Sequence, residues 1–247
     1  ELPIYTRFRS EFENRGIRLF IPDDAQYQLR DKVNIPHVAK KIGIKAPKTH
    51  ILYSWDQLTT AMDLLGLPLM VKGSFYGAHL SKTPGEAIKN FNKLSAEWGL
   101  PVIAQGLIKG EEINLVGVGD GRGNMIGQVS VKKLSTTSLG KIWTGVTIKN
   151  QTLLRAANRF VEVFQWKGPF ELECMVNGND IYLIEINPRF PAWSYFATGV
   201  GVNLPGDMIR TALNLPARGK KAYEAGKLFI RYTYEIVCNM DKFQEIT

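Results

Sequence analysis

The chain has 247 residues and a mass of 27.8 kDa, which suffices for one large domain or two small lobes with a substantial core. Hydrophobic residues make up 45% and charged residues 22%, close to globular averages, and these proportions exclude a disordered or collagen-like chain. The net charge of +8 favours anionic partners such as nucleotides, phosphorylated metabolites or nucleic acid.

Simple patterns disfavour three further classes of protein. No apolar run reaches the ~20 residues that a membrane-spanning helix needs, so no membrane partner is expected. The lysines and arginines are scattered and no DNA or RNA motif is visible, so no nucleic acid partner is expected either. Cys174 and Cys238 lie far apart without a CxxC pair, which excludes a zinc framework or a disulfide scaffold and favours a reducing cytoplasm.

The first segment of the chain has the pattern of the end of a larger unit. Apolar spacing predicts a helix over 3–15, and the run at 17–21 predicts a strand that stops at Pro22. We therefore expect residues 1–30 to be the remnant of a leading α/β domain. Asp31 is predicted to cap a helix that stops at Gly43, and a linker with Pro47 follows.

The remaining elements predict two lobes. The smaller is expected to have strands at 50–53, 68–72, 79–82 and 102–106, with helices at 55–65 and 84–97. The larger is expected to have strands at 111–118, 125–134, 169–176, 181–187 and 227–234, helices at 151–165, 193–198 and 205–214, and a loop at 135–149. This order is typical of an α/β or α+β protein.

The stretch 168–189 carries the most chemical information, because two strand patterns flank a turn of Asn, Gly and Asp. Period-2 alternation separates one face with Glu171, Glu173, Met175, Leu183, Glu185 and Asn187 from another with Phe170, Leu172, Cys174, Val176, Tyr182, Ile184 and Ile186. A three-residue loop at 178–180 sets Glu173 directly across from Glu185, and Glu171 across from Asn187. The hairpin is therefore predicted to oppose acid to acid.

Opposed carboxylates destabilise a sheet unless a cation lies between them. Two carboxylates and an amide oxygen are the hard ligands that Mg²⁺ prefers, so Glu173, Glu185 and Asn187 favour a divalent-metal site. Alternatively, these acids lie on a solvated face and only keep the hairpin soluble. Arg189 follows the strand end and brings a planar cation suited to a phosphate or carboxylate, or it only neutralises Glu171.

A lysine and an interlobe joint are further candidates. Lys72 ends an apolar strand before a turn with two glycines, where a lysine can reach a phosphate, although strand-end lysines are more often solvated. The segment 102–112 joins the two predicted lobes. Exposed backbone at such a joint can hydrogen-bond a purine edge while Leu107 and Ile108 pack against the ring.

Five motifs occur in a characteristic order: Asp31-Lys32, Gly-Ile-x-x-Pro at 43–47, Leu-Pro-x-x-Val-Lys at 67–72, the joint that contains Gln105 and Glu112, and Glu185-Ile-Asn-Pro-Arg189. Over about residues 17–216 the chain resembles the ATP-grasp superfamily, in its carbamoyl-phosphate synthetase and biotin carboxylase branch. The resemblance implies an α+β, ATP-grasp fold in which ATP binds between two α/β lobes.

The resemblance also implies an organisation of the chain. The ATP-grasp domain is expected over 31–216, with a small lobe at about 47–106 and a large lobe at about 107–216, and a C-terminal strand and extension over 217–247. The leading domain of such proteins is expected to be largely absent here, and to come from a partner chain or a cleaved segment. A homodimer is a further assembly that the resemblance allows.

Nucleotide and metal contacts follow from the resemblance residue by residue. It implies phosphate contacts by Lys32 and Lys72, adenine contacts by Gln105 and Leu107, and a ribose contact by Glu112. It implies that Glu173, Glu185 and Asn187 hold Mg²⁺, with Mn²⁺ as an alternative. Lys132 or Lys133 is expected to add a phosphate contact; the sequence does not distinguish the two, nor this role from that of an exposed strand lysine.

The implied activity is ATP-dependent ligation. The γ-phosphoryl group of Mg·ATP passes to a carboxylate, an amine attacks the acyl phosphate, and phosphate leaves as an amide-like bond forms. Lys72 and Arg189 are expected to stabilise the transferred charge, and Arg189 to meet the phosphoryl group or the substrate carboxylate. Small carboxylates and amines are the expected partners. The alternative is a non-catalytic or regulatory ATP-binding subunit of the same fold.

The aromatic segment after Arg189 has two interpretations. Trp193, Tyr195 and Phe196 are expected to wall the acceptor pocket, with more aromatic surface than a bicarbonate site needs, which indicates an organic carboxylate. Their helical spacing is equally typical of core residues.

Overall fold

A computed structural model describes residues 1–74, 76–137, 140–216 and 222–232, together with residues 235, 237 and 239. Within these residues the chain forms a four-stranded and a six-stranded sheet, both antiparallel, with helices packed on them. This is the α+β architecture of two lobes that the sequence predicts. Cys238 and the last eight residues of the predicted C-terminal extension lie outside the described residues.

The N-terminal segment differs from the prediction. Its helices are α1 (Leu2–Arg7), α2 (Arg9–Asn14), α3 (Asp24–Gln28) and α4 (Ile35–Ile42). The helix predicted over 3–15 is interrupted at Phe8, and the strand predicted at 17–21 is wrong, because these residues pair with no described strand. Asp31 is not the cap of α4: Pro36 lies in its first turn, and the helix begins after Asn34.

The four-stranded sheet follows the predicted order of elements. These are β1 (Thr49–Leu52), α5 (Trp55–Leu65), β2 (Leu69–Gly73), β3 (Ala78–Ser81), α6 (Pro84–Trp98) and β4 (Val102–Gly106), and the strand order is β1-β4-β2-β3. Helices α5 and α6 cover one face through buried residues such as Leu58 and Leu94. The register pairs Lys72 with Ile103 and Met70 with Gln105. These four side chains therefore lie on the uncovered face, which is the face opposite helices α5 and α6.

The six-stranded sheet is built from the second half of the chain. Its elements are β5 (Glu111–Asp120), β6 (Met125–Thr136), β7 (Ile142–Ile148), α7 (Gln151–Phe164), β8 (Lys167–Asn177), β9 (Asp180–Asn187), α8 (Tyr195–Gly199), α9 (Leu204–Ala212) and β10 (Leu228–Ile230). The strand order is β10-β7-β6-β5-β8-β9. The loop predicted at 135–149 is wrong, because β7 lies within it and pairs with β6 and β10. The strand predicted over 227–234 is shorter, and residues 233–234 lie outside the described ones.

Both faces of this sheet are packed. Helices α4 and α7 cover one face around Phe160, Trp166 and Phe170, each of which contributes about 2–3 kcal/mol through burial. The segment of α8 and α9 covers part of the other face, against Val116 and Val131. The rest of that second face stays open toward the four-stranded sheet. In the described part of the chain, the helices are too short or too polar to cross a membrane.

Candidate functional site

The hairpin of β8 and β9 carries its acids at paired positions. Glu173 is the Cα partner of Glu185, and Glu171 is the partner of Asn187. This register is the one predicted from the sequence. On β8, the core side of the hairpin is also as predicted, since the apolar residues between the acids are buried against α7.

The turn of this hairpin is shorter than predicted. Asn177 pairs with Asp180, so residues 178–179 alone form the loop. The shorter loop moves the register by one residue, and a β-bulge at Ile184 moves it back before the acids are reached. The acids therefore face each other because of a bulge that the strand pattern does not indicate.

The bulge also changes which side chains of β9 face the core. Leu183 and Ile186 are both buried in the core beneath α7, so the prediction that Leu183 shares a face with Glu185 is wrong. One extra residue reverses the alternation of a strand. Because of this reversal, β9 buries Leu183 and still presents Glu185 and Asn187 on the acidic face.

Lys133 links two acids of the site. Its side chain is 6% exposed, its Nζ atom lies 3.2 Å from Glu173 Oε2, and it also forms an ion pair with Glu112. Burial opposes the charge of Lys133, but the two carboxylates outweigh burial and raise its pKa. Glu112, the residue expected to contact a ribose, is thus bound to a lysine in this structure.

The structure distinguishes the two lysines that the sequence left as alternatives. Lys132 pairs with Ile113, whose side chain is in the core beneath α7, and it forms an ion pair with Glu111. Successive residues of a strand face opposite sides of a sheet, so Lys133 lies on the acidic face. The candidate Lys132 is therefore not brought to the acids, and Lys133 is.

Replacing Lys133 with methionine is expected to lower the free energy of unfolding by about 2–3 kcal/mol, because Glu112 and Glu173 lose the partner of their partly buried charges. The matched control is Lys132→Met, since its exposed ion pair contributes at most ~1 kcal/mol. Urea unfolding at neutral pH without nucleotide measures both losses. Equal losses in the two variants would contradict the assigned network.

Glu171 is the most deeply buried acid of the hairpin, with 3% of its surface exposed. Its Oε1 atom accepts hydrogen bonds from Asn114 Nδ2 at 2.8 Å and Trp193 Nε1 at 2.7 Å, and its Oε2 atom accepts one from Asn187 Nδ2 at 3.2 Å. Burial raises the pKa of Glu171 to about 7. Arg189 Nη1 lies 3.9 Å from Oε2, so a neutralising contact is present but long.

Two buried lysines lie near the acids. Lys72 on β2 is 6% exposed, and Lys32, in the turn before α4, is 7% exposed. Both interact electrostatically with Glu185 and Glu173, although Lys72 belongs to the other sheet. Burial lowers the pKa of Lys72 to about 8 and also lowers that of Lys32. The structure thus brings together the lysines and the carboxylates that the sequence singled out.

The candidate metal ligands are two carboxylates and an amide. No cluster of three His, Cys, Asp or Glu residues suited to a metal occurs in the described ranges, so the oxygen of Asn187 has to complete the set. The side chain of half-buried Glu185 makes no hydrogen bond or ion pair with any described residue. Carboxylate and amide oxygens are hard donors that suit Mg²⁺, and a sequestered carboxylate without a bonded cation fits such a site.

The joint between the sheets carries the predicted adenine contacts. Gln105 is 3% exposed on the uncovered face of β4, and its Nε2 atom donates to Thr49 Oγ1 at 3.2 Å. Leu107 is half-buried between β4 and β5. A Cβ atom on Gly110 would overlap the carbonyl oxygen of Val176, so this joint approaches β8 as closely as only glycine allows.

A cavity of about 540 Å³ opens beside the acids. Four cations line it, namely Lys133, Lys141, Arg189 and Arg231. Sequence reasoning missed Lys141 and Arg231, because Lys141 directly precedes β7, Arg231 directly follows β10, and no local pattern connects these segments to the hairpin. Three carboxylates, Glu171, Glu173 and Glu185, line it too, so this mixed lining suits an anionic group that is accompanied by a metal cation.

The aromatic residues after Arg189 divide between the two predicted roles. Trp193 lines the cavity, but it is 2% exposed and also belongs to the core beside α8. Phe196 is a core residue, and Tyr195 is 78% exposed. Of these three residues only Trp193 therefore lines the cavity, as expected of a wall residue, and Phe190, directly after Arg189, lines it too.

The segment that carries the candidate site matches a known protein family. A family model for the ATP-grasp domain matches residues 30–192, which include the hairpin, Lys32 and Lys72. The carbamoyl phosphate synthase large chain of Hyperthermus butylicus is 24% identical over 226 residues, which cover 85% of this chain and 21% of that protein.

Two solved structures share the fold. Biotin carboxylase of Campylobacter jejuni, in complex with β,γ-ATP, has a TM-score of 0.76 and 17% identity, over 90% of this chain and 55% of that one. The biotin carboxylase domain of Hydrogenobacter thermophilus 2-oxoglutarate carboxylase, with MgADP, ADP and bicarbonate, has a TM-score of 0.72 and 17% identity, over 87% and 52%. The chain thus spans about half the length of these structures and about a fifth of that synthase.

Proposed function

Because the chain belongs to the ATP-grasp family, we propose that it binds Mg·ATP between its two sheets and uses it to join a carboxylate to an amine. One observation carries this proposal. Lys32, Lys72 and the hairpin of β8 and β9 are three distant segments of the chain, and their lysines and acids meet in one cleft. Buried cations next to acidic oxygen ligands suit a polyphosphate with its divalent ion.

The metal would lie at Glu173, Glu185 and Asn187. It would neutralise phosphate oxygens during transfer, which is the chemistry that a divalent ion supplies. Lys133 holds Glu173 in place through its ion pair. Glu185 has no such partner among the described residues, so it is the acid most available to an incoming cation.

Nucleotide contacts would come from both sheets. Lys72 and Lys32 would contact the phosphates, and their lowered pKa values mean that a polyanion restores charge that burial disfavours. Gln105 and Leu107 would line the adenine. The side-chain carbonyl oxygen of Gln105, which accepts no hydrogen bond from the described residues, would be the acceptor. Glu112 would reach the ribose only by sharing its carboxylate with Lys133.

The carboxylate substrate would occupy the 540 Å³ cavity. Arg189 is half-exposed there, and its Nη2 atom donates to Asn187 Oδ1 at 3.3 Å, so its guanidinium lies beside the proposed metal. An acyl phosphate formed at this point would remain next to Arg189, Arg231 and Lys141 until an amine attacks it. A cytoplasmic location and a homodimer remain predictions.

Calorimetric titration of ATP with and without Mg²⁺ tests the nucleotide site first. ADP release is then measured with sets of small carboxylates and amines added singly and in pairs. Acceleration that needs one carboxylate and one amine together would support ligation. Mg²⁺-dependent ATP binding without any acceleration would favour the alternative of a non-catalytic ATP-binding subunit, and no ATP binding would contradict the proposal.

ATP binding is expected to take up a proton at about pH 8.5. In the protein without ATP, Lys72 has a pKa of about 8 and is mostly neutral at this pH. Because a bound phosphate favours the charged form of Lys72, roughly 0.5–0.8 proton is expected to be taken up per ATP. Below about pH 7 this uptake should disappear, because Lys72 is already charged. Calorimetry in buffers of different ionisation enthalpy measures it. Lys72→Arg, always charged, should bind ATP without this uptake; equal uptake in both proteins would contradict the role of Lys72.

A further inference from the structure

Glu171 is a buried carboxylate that none of the roles above uses. Three N–H donors from three segments converge on it: Asn114 from β5, Asn187 from the end of β9, and Trp193 from the loop before α8. Asn114 donates through Nδ2, while its Oδ1 atom is buried without a partner in the described part of the chain. Such convergence orients each donor, because an anionic acceptor binds N–H groups strongly.

The consequence for Asn187 is specific. Its Nδ2 atom lies between two carboxylate oxygens, at 3.2 Å from Glu171 Oε2 and 2.8 Å from Glu173 Oε1. An amide group that donates on one side must present its oxygen on the other. The Oδ1 atom is therefore bonded to neither acid, and it accepts from Arg189 Nη2 at 3.3 Å. Only this orientation offers oxygen to a divalent ion, since an amide nitrogen does not bind one.

We propose that Glu171 is a positioning residue that holds the amide of Asn187 with its oxygen toward the metal. Glu171 contributes to metal binding through its hydrogen bond with Asn187 Nδ2, and not through its negative charge in the cavity. The inference rests on the proposed function, because it concerns the same metal site. Glu171 is not assigned as a ligand of the metal, because it is 3% exposed behind its three donors, whereas the side chain of Glu173 is 23% exposed.

Glu171→Gln tests this orientation with an isosteric side chain. A glutamine that keeps its oxygen toward Asn114 and Trp193 turns its NH₂ group toward Asn187. To accept from it, Asn187 would have to rotate and give up its bond to Glu173 Oε1, and its oxygen would leave the metal. We expect the Mg²⁺ concentration that half-saturates ATP binding to rise about tenfold, with Mg²⁺-free ATP binding unchanged.

A double-mutant cycle separates positioning from a general structural role. In an Asn187→Ala background there is no amide to orient, so Glu171→Gln should change the Mg²⁺ requirement by less than about twofold. A similar loss in both backgrounds would overturn the inference. So would an unchanged Mg²⁺ requirement in the single variant, provided that urea unfolding shows it to be folded.

If Glu171→Gln does not fold, Glu171→Asp takes its place. The shorter acid keeps the buried charge but withdraws from Asn187, so the Mg²⁺ requirement should again rise, and an unchanged requirement would overturn the inference. Wild-type protein is titrated alongside. If the wild type binds Mg·ATP and the variants match it, this inference alone fails; if the wild type shows no Mg²⁺-dependent binding, the proposed function fails and this inference with it.

Discussion

Replacing Glu185 with glutamine is expected to weaken Mg²⁺-dependent ATP binding by at least about 100-fold, because a neutral amide replaces a charged ligand of the proposed ion. The substitution should remove the charge of Glu185 without disturbing other contacts. The side chain of Glu185 makes no hydrogen bond or ion pair with the described residues, so glutamine leaves no buried partner unsatisfied and the fold should be retained.

Binding of ATP without Mg²⁺ should not weaken in the Glu185→Gln protein, because a negative charge near Lys72 and Lys32 is removed. Calorimetric titration with and without the ion measures both quantities. Glu111→Gln is the matched control, since Glu111 is an exposed acid of the same sheet and pairs with Lys132 on the other face. Mg²⁺-dependent binding that survives Glu185→Gln would refute the metal site.

Replacing Arg189 with alanine is expected to lower turnover by about 100-fold while ATP affinity changes by less than about twofold. The guanidinium is half-exposed beside the cavity; among the described residues it donates to Asn187 Oδ1 and to the carbonyl of Phe190, and its contact with Glu171 is long, at 3.9 Å. It is therefore free to meet a transferred phosphoryl group or a carboxylate, and it takes no part in the buried cluster of Lys32 and Lys72.

ADP release with the carboxylate and amine pair found by screening measures the turnover of Arg189→Ala, and calorimetry measures its ATP affinity. Arg189→Lys should lose less, because it keeps the charge but not the planar pair of donors. Arg155→Ala, on the exposed side of α7, is the surface control. Turnover equal to that of the wild type would remove the role assigned to Arg189.

Much of the architecture was predictable because it depends on local pattern. The helix at Trp55–Leu65 and the strand at Val102–Gly106 have the predicted bounds, since their apolar periodicity and flanking turn residues agree. The pairing of Glu173 with Glu185 was also predicted correctly, but for a different reason: the shorter loop and the bulge at Ile184 shift the register in opposite directions and offset each other. Alternation on two adjacent strands predicts which side chains share a face, but a bulge changes that relation.

The amino-acid sequence by itself determined the two lobes, the acidic hairpin and the order of the nucleotide motifs. Only the tertiary structure decided that Ile184 forms the bulge, that Lys133 and not Lys132 reaches the acids, and that Glu171 is buried. The bulge lies within the hairpin, but the other two features depend on neighbours outside their own segment: β5 pairs with the strand of both lysines, and Trp193 with Asn114 satisfies Glu171. Local periodicity carries no information about which distant strand becomes that neighbour.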